Sequence, residues 1–178
     1  MAKIISQKTL FKNQYIDLIE NKIDFGNNII KTHVDVYRRS AVSVFPITET
    51  YEIYLIKQYR YLLEKKVIEA VAGIINEKED SLETARRELK EEAGIVAGKL
   101  QELQSVFVAG SFIKITQHLI LAQDLKLEKP EPEETEEIEL IKMPLDEAVN
   151  KIFKGEIITA SSILGILILD KMRERGEI

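Results

Sequence analysis

Glu88, Glu91 and Glu92 stand at i, i+3 and i+4, so on a helix their carboxylates gather one turn apart along one flank. Like charges at that spacing destabilise a helix by roughly 0.2–0.5 kcal/mol per pair unless something positive neutralises them. Hard divalent cations take carboxylate oxygens, and Mg2+ in particular combines a few carboxylates with waters and phosphate oxygens. The chemistry this spacing suits is that of a divalent-metal site. The surrounding positions are in register as well: Gly73, five residues, Glu79, seven residues, Arg87-Glu88-Leu89, one residue, Glu91-Glu92, one residue, Gly94-Ile95. A solvated acidic flank balanced by Arg86, Arg87 and Lys90 would account for the glutamates but not for the glycines, Glu79 and Arg87 beside them. Arg87 is expected to pair with a carboxylate such as Glu79 or Glu91 and to hold the preceding loop against the helix.

The elements that must position these groups can be read from caps and periodicity. Asp80 or Ser81 is a candidate N-cap and Gly94 a candidate C′ residue, which predicts a helix of about three turns between them. Leu82, Ala85, Leu89 and Ala93 form its apolar face. Upstream, residues 15–25 and 29–37 read as strands around the turn Gly26-Asn27-Asn28, and residues 41–47 and 51–59 as strands around Thr48-Glu49-Thr50. The apolar run 67–75 leads directly into the glutamate segment. Downstream, residues 103–109, 117–123 and 138–143 read as strands, and residues 126–137, with Pro130 and Pro132, as an acidic loop. Pro144 is expected to open a helix running to Lys154, and Thr159 to cap a last one through Glu174. Strands first, one helix in the middle and two at the end predict a mixed sheet with helices on both faces.

The chain has 178 residues, which points to one domain able to bury a core. Its net charge of −5 and lack of any basic tract argue against a nucleic-acid surface. An acidic protein that bound an anionic ligand would need a cation between the two, in line with the glutamates. There is no cysteine, so disulfides and thiolate metal sites are excluded. No signal peptide is apparent, and the apolar stretch 163–169 is too short to span a bilayer, so no membrane partner and a cytoplasmic location are expected.

The segment from Gly73 to Ile95 resembles the Nudix hydrolase signature at every fixed position. Gln58-Tyr59-Arg60, Glu69-Ala70-Val71-Ala72-Gly73 and Thr159-Ala160-Ser161-Ser162 are similar to motifs of the ADP-ribose pyrophosphatase branch. The resemblance implies an α/β/α sandwich with a mixed β-sheet and an N-terminal antiparallel strand extension. Residues 1–40 would form a β region used in dimerisation and residues 41–178 the Nudix domain. It further implies Mg2+- or Mn2+-dependent cleavage of ADP-ribose or a related nucleoside diphosphate sugar to a nucleoside monophosphate and a sugar phosphate, by a homodimer. Carried onto this chain, the Ala72 carbonyl, Glu88 and Glu92 would hold metal, with Glu91 close by. Arg60 and Arg38 would contact diphosphate or ribose, and Tyr15 would stack on the base. The branch takes its base from a late loop, here residues 131–137, with Glu134 as base and Glu136 as an extra metal ligand.

One stretch departs from the branch. Where it carries a Ser-Pro-Gly turn and an acidic residue, this chain has residues 108–117, with Phe112, Ile113 and Lys114 in their place. That change leaves diphosphate hydrolysis standing and opens the substrate to GDP-sugars or dinucleotides. A catalytically silent Nudix domain used as a ligand sensor is the reading from another class; such domains lose signature carboxylates, and all are present here. His33 and His118, one on each of two strands, are expected to be structural.

Overall fold

The computed structural model describes residues 1–131 and 137–178. In chain order these form β1 (Lys3–Lys12), β2 (Ile16–Asp24), β3 (Ile30–Arg38), β4 (Ala41–Pro46), β5 (Glu52–Arg60), β6 (Lys65–Glu69), β7 (Val71–Ile74), α1 (Ser81–Ala93), β8 (Ile95–Phe107), β9 (Ile113–Lys114), β10 (Thr116–Leu127), β11 (Ile138–Pro144), α2 (Leu145–Phe153) and α3 (Ala160–Glu174).

The chain forms two compact units, Met1–Ser40 with Phe107–Thr116, and Ala41–Val106 with Gln117–Ile178. In the first, β1, β2 and β3 make an antiparallel meander, and β9 adds in parallel to β3. The β2–β3 turn holds Gly26, Asn27 and Asn28 at φ of 84°, 52° and 64°, left-handed values that glycine and asparagine tolerate best. Asn21, fully buried, accepts from Gln7 and donates to Asp35, tying the three long strands together.

In the second unit, β4 and β10 run parallel, β7 pairs antiparallel with β4, and β8 flanks β10. A second sheet has the antiparallel order β11-β5-β6. Side chains alternate across a strand, and the alternation here feeds two cores. Val42, Val44, Ile56 and Ile120 pack with Ala85, Leu89 and Ala93 of α1. Phe45, Leu55, Leu119 and Leu121 pack with Leu145 and Ala148 of α2 and with Ile166 and Leu169 of α3. Helices therefore cover both faces of the strands, as expected of an α/β/α sandwich. No helix among the described residues is long and apolar enough to cross a membrane.

Several boundaries differ from the sequence reading. The run 67–75 is two strands, because Ala70 leaves the ladder: its buried N–H donates to Ser162 Oγ of α3 at 2.9 Å, so β6 stays with β5 while β7 turns to β4. A further strand, β1, precedes the expected N-terminal pair. β8 begins at Ile95, directly after α1, rather than near Leu103. Pro144 ends β11 and stands at the N-cap of α2, outside the helix. Thr159 is the N-cap of α3, but its hydroxyl donates to Ser162 Oγ at 2.7 Å and caps no backbone N–H.

Candidate active site

The glutamates lie on α1, whose ends are set by local chemistry. Asp80 Oδ1 accepts from the N–H groups of Leu82 and Glu83 at 2.9 and 2.8 Å, and Glu83 Oε2 accepts from Asp80 N–H at 3.0 Å, closing a capping box. Gly94 ends the helix at φ 61°, a left-handed cap where a Cβ would also meet the Glu128 carbonyl at 2.5 Å. Beyond the cap, the N–H groups of Glu128 and Glu131 donate to the carbonyls of Gly94 and Glu91 at 2.6 and 3.0 Å. Residues 128–131 are thereby fastened to the end of α1.

Arg87 draws three carboxylates together. Its Nε and Nη2 clasp the two oxygens of Glu79 at 3.0 and 3.2 Å, and Nη1 lies 2.7 Å from Glu88 Oε1 and 2.9 Å from Glu91 Oε2. Nη2 also reaches the Ile74 carbonyl at 3.4 Å, so one guanidinium spans the loop and the helix. The paired guanidinium holds the Glu79 carboxyl down to about 2, and the same bonds push Arg87 further up.

The strand ahead of the loop is fixed against the same helix. Glu92, buried, accepts from Ala72 N–H through Oε2 at 3.1 Å. Glu88, also buried, lies so close to Gly73 that a Cβ there would fall 1.7 Å from Oε1. Three residues before Ala72, at the end of β6, the side chain of Glu69 is 8% exposed and receives both Nε and Nη2 of Arg60 on Oε1 at 2.7 Å. Burial pushes its carboxyl up, against the pull of Arg60. In the sequence Glu69 and Ser162 stand only as parts of motifs; a lone carboxylate in an apolar run is the signal that singles out Glu69.

These donors fit a hard cation in kind. Two buried carboxylates sit one turn apart with a third beside them, and the glycine backbone leaves room for Glu88 where a side chain would fill it. Among the described residues, as placed, no three acidic or imidazole groups converge on one point; Arg87 Nη1 lies between Glu88 and Glu91.

Of the other expected site residues, Arg60 lies in the same unit, at the end of β5. Arg38, exposed at the end of β3, and Tyr15, half-exposed just before β2, belong to the first unit. Glu134 and Glu136 lie outside the described residues. In the first unit, Phe112, Ile113 and Lys114 join Asp35, Tyr37 and Phe107 around a cavity of about 430 Å3. Lys114 Nζ lies 5.8 Å from the Tyr37 ring centroid, so this cation sits over an aromatic face. His33 is in β3; His118, in β10, bonds Ser105 and Glu102 through Nδ1 at 3.1 and 3.0 Å.

A family model described as NUDIX domain matches residues 37–161. The ADP-ribose pyrophosphatase of Bacillus subtilis is 30% identical over 166 residues, covering 92% of this chain and 90% of that protein. The ADP compounds hydrolase NudE of Escherichia coli is 30% identical over 146 residues, covering 81% and 75%. Among solved structures, a crystal structure of ADP compounds hydrolase superposes with a TM-score of 0.86 at 24% identity, covering 99% of this chain and 97% of that one.

Proposed function

The chain belongs to the NUDIX domain family and is an enzyme of its ADP-ribose pyrophosphatase-like branch, and from that footing we propose that it cleaves the diphosphate of ADP-ribose or a related nucleoside diphosphate sugar with Mg2+ or Mn2+. The observation that carries this reading is the fit of the Ala72–Gly73 backbone against Glu88 and Glu92, with Arg87 fastening the loop between them. The names of the relatives, an ADP-ribose pyrophosphatase and an ADP compounds hydrolase, support the substrate class.

In this reading Glu88, Glu92 and the Ala72 carbonyl hold the metal, with Glu91 beside them and Glu136 as a further ligand. The metal, when bound, lowers the pKa of a water and neutralises charge on the phosphoryl oxygens. Arg87 orients Glu88 and Glu91 while keeping Glu79 ionised. Arg60 and Arg38 contact the diphosphate or ribose, since guanidinium groups suit bidentate phosphate recognition. Tyr15 stacks on the base. Glu134 takes the proton of the attacking water. Support for a base from that stretch comes from the described residues on either side of it: Glu131 is tied to Glu91 of α1, and Ile138 pairs with Gln58 of β5. A homodimer is supported by the exposed apolar side chains of β1, among them Ile4, Leu10 and Phe11.

The test is incubation with Mg2+ and a panel of ADP-ribose, GDP-sugars, NADH and dinucleoside polyphosphates, with the products identified. We expect AMP and ribose phosphate from ADP-ribose. No turnover of any member removes the hydrolase reading, and selective cleavage of dinucleoside polyphosphates removes the substrate. Glu92→Gln is expected to abolish Mg2+-dependent turnover with the fold intact by circular dichroism; full activity in that variant refutes the metal assignment.

A further inference from the structure

Three side chains meet on one face of the β5–β6 pair. Ile56 lies opposite Glu69 and Gln58 opposite Val67, so Gln58, Arg60 and Glu69 project to the same side. The Arg60 side chain is 42% exposed, while that of Glu69 is 8% exposed and takes both guanidinium donors on one oxygen. Gln58 is itself buried, and its Nε2 has no hydrogen-bond partner among the described residues. The amide stands close enough to Glu69 to favour the charged carboxylate, yet makes no bond of good geometry to it. An unpartnered buried N–H is rare in a folded protein and calls for an explanation.

A diphosphate arriving at Arg60 meets a guanidinium already neutralised by Glu69. To face the ligand bidentately, Arg60 gives up part of its hold on Oε1, and a buried carboxylate stripped of its partner is strongly unfavourable. We propose that Gln58 is a reserve donor for Glu69: as Arg60 turns to an anionic phosphate ligand, the Gln58 amide moves onto the carboxylate and keeps it hydrogen-bonded. Gln58 is then a positioning residue that acts through Glu69 and Arg60. The inference rests on the reading of Arg60 as a phosphate-binding residue.

Binding of ADP-ribose in EDTA, followed by calorimetry, separates this from turnover. Gln58→Leu is expected to weaken binding about tenfold, the loss of one hydrogen bond to a charged group. The same substitution leaves the Tm of the free protein close to that of the wild type, because the amide makes no hydrogen bond of good geometry there. In an Arg60→Leu background it has no further effect on binding, since no ion pair remains to be released. Gln58→Met, unbranched and equally apolar, repeats the result with different packing. Unchanged affinity, the same tenfold loss in the Arg60→Leu background, or a Tm lowered by several degrees in both variants overturns the inference. Wild-type protein that does not bind ADP-ribose overturns it too. Turnover with Mg2+ is read separately, so loss of the hydrolase reading and loss of this inference appear in different measurements.

Discussion

Gly73→Ala puts the proposed geometry under direct load. The glycine is not among the residues with positive φ, so alanine suits the backbone and any effect comes from its methyl group. That methyl would fall 1.7 Å from Glu88 Oε1, 2.0 Å from Cδ and 2.5 Å from Cγ, where real Cβ contacts do not come under 3.0 Å. Glu88 must therefore retreat by more than an ångström, and its side chain is only 12% exposed and held by Arg87 at 2.7 Å. Overpacking of this kind costs about 1–3 kcal/mol, which for a chain this long lowers Tm by roughly 2–12 °C. The functional cost should be larger, since displacing the supports of a metal ligand typically costs about 10–100-fold in metal affinity or activity. A Mg2+ titration of turnover, alongside thermal melts, measures both. In a Glu88→Ala background the clash disappears, and Gly73→Ala should add little to the loss of stability. Wild-type turnover and Mg2+ half-saturation in Gly73→Ala would refute the claim that the close approach of Gly73 to Glu88 builds the site.

Two further outcomes concern the scaffold. Ser162→Ala leaves the buried Ala70 N–H without an acceptor and should lower stability by about 1–3 kcal/mol in urea unfolding; an unchanged midpoint means another acceptor replaces Ser162. Glu79, held to about 2 from an ordinary 4.5, contributes stability that is present above the unfolded value and lost as pH falls from 4.5 towards 2. Glu79→Gln should flatten acid unfolding across that window, and an identical acid curve in the variant would show that the Arg87 pairing adds nothing to the fold.

What the sequence made legible follows from how local each cause is. The caps of α1 depend on residues three or four apart, and Asp80 with Glu83 and Gly94 could be read before any fold was known. The glutamate spacing is equally local, and so is the Arg87 pairing with Glu91; Glu79 required only that the loop fold back one turn. The strand break at Ala70 is of another kind. Val67 to Ile75 is apolar but for Glu69, and nothing within it says that β6 and β7 belong to different sheets. The break is made by Ser162, ninety-two positions away, which takes the Ala70 N–H out of the ladder. At its start β8 shows no apolar–polar alternation, because Val96, Gly98 and Lys99 are its exposed residues and burial is confined to Ile95 and Ala97 among its first five positions. The same logic locates what the signature could not say about the site. Glu88 and Glu92 take their meaning from Ala72 and Gly73, and that backbone is placed by α3 through Ala70, by α1 through Glu92 and by β4 through the ladder. The reaction type is thus written in one helix, while the geometry that would make it work is distributed over three elements that only the folded chain brings together.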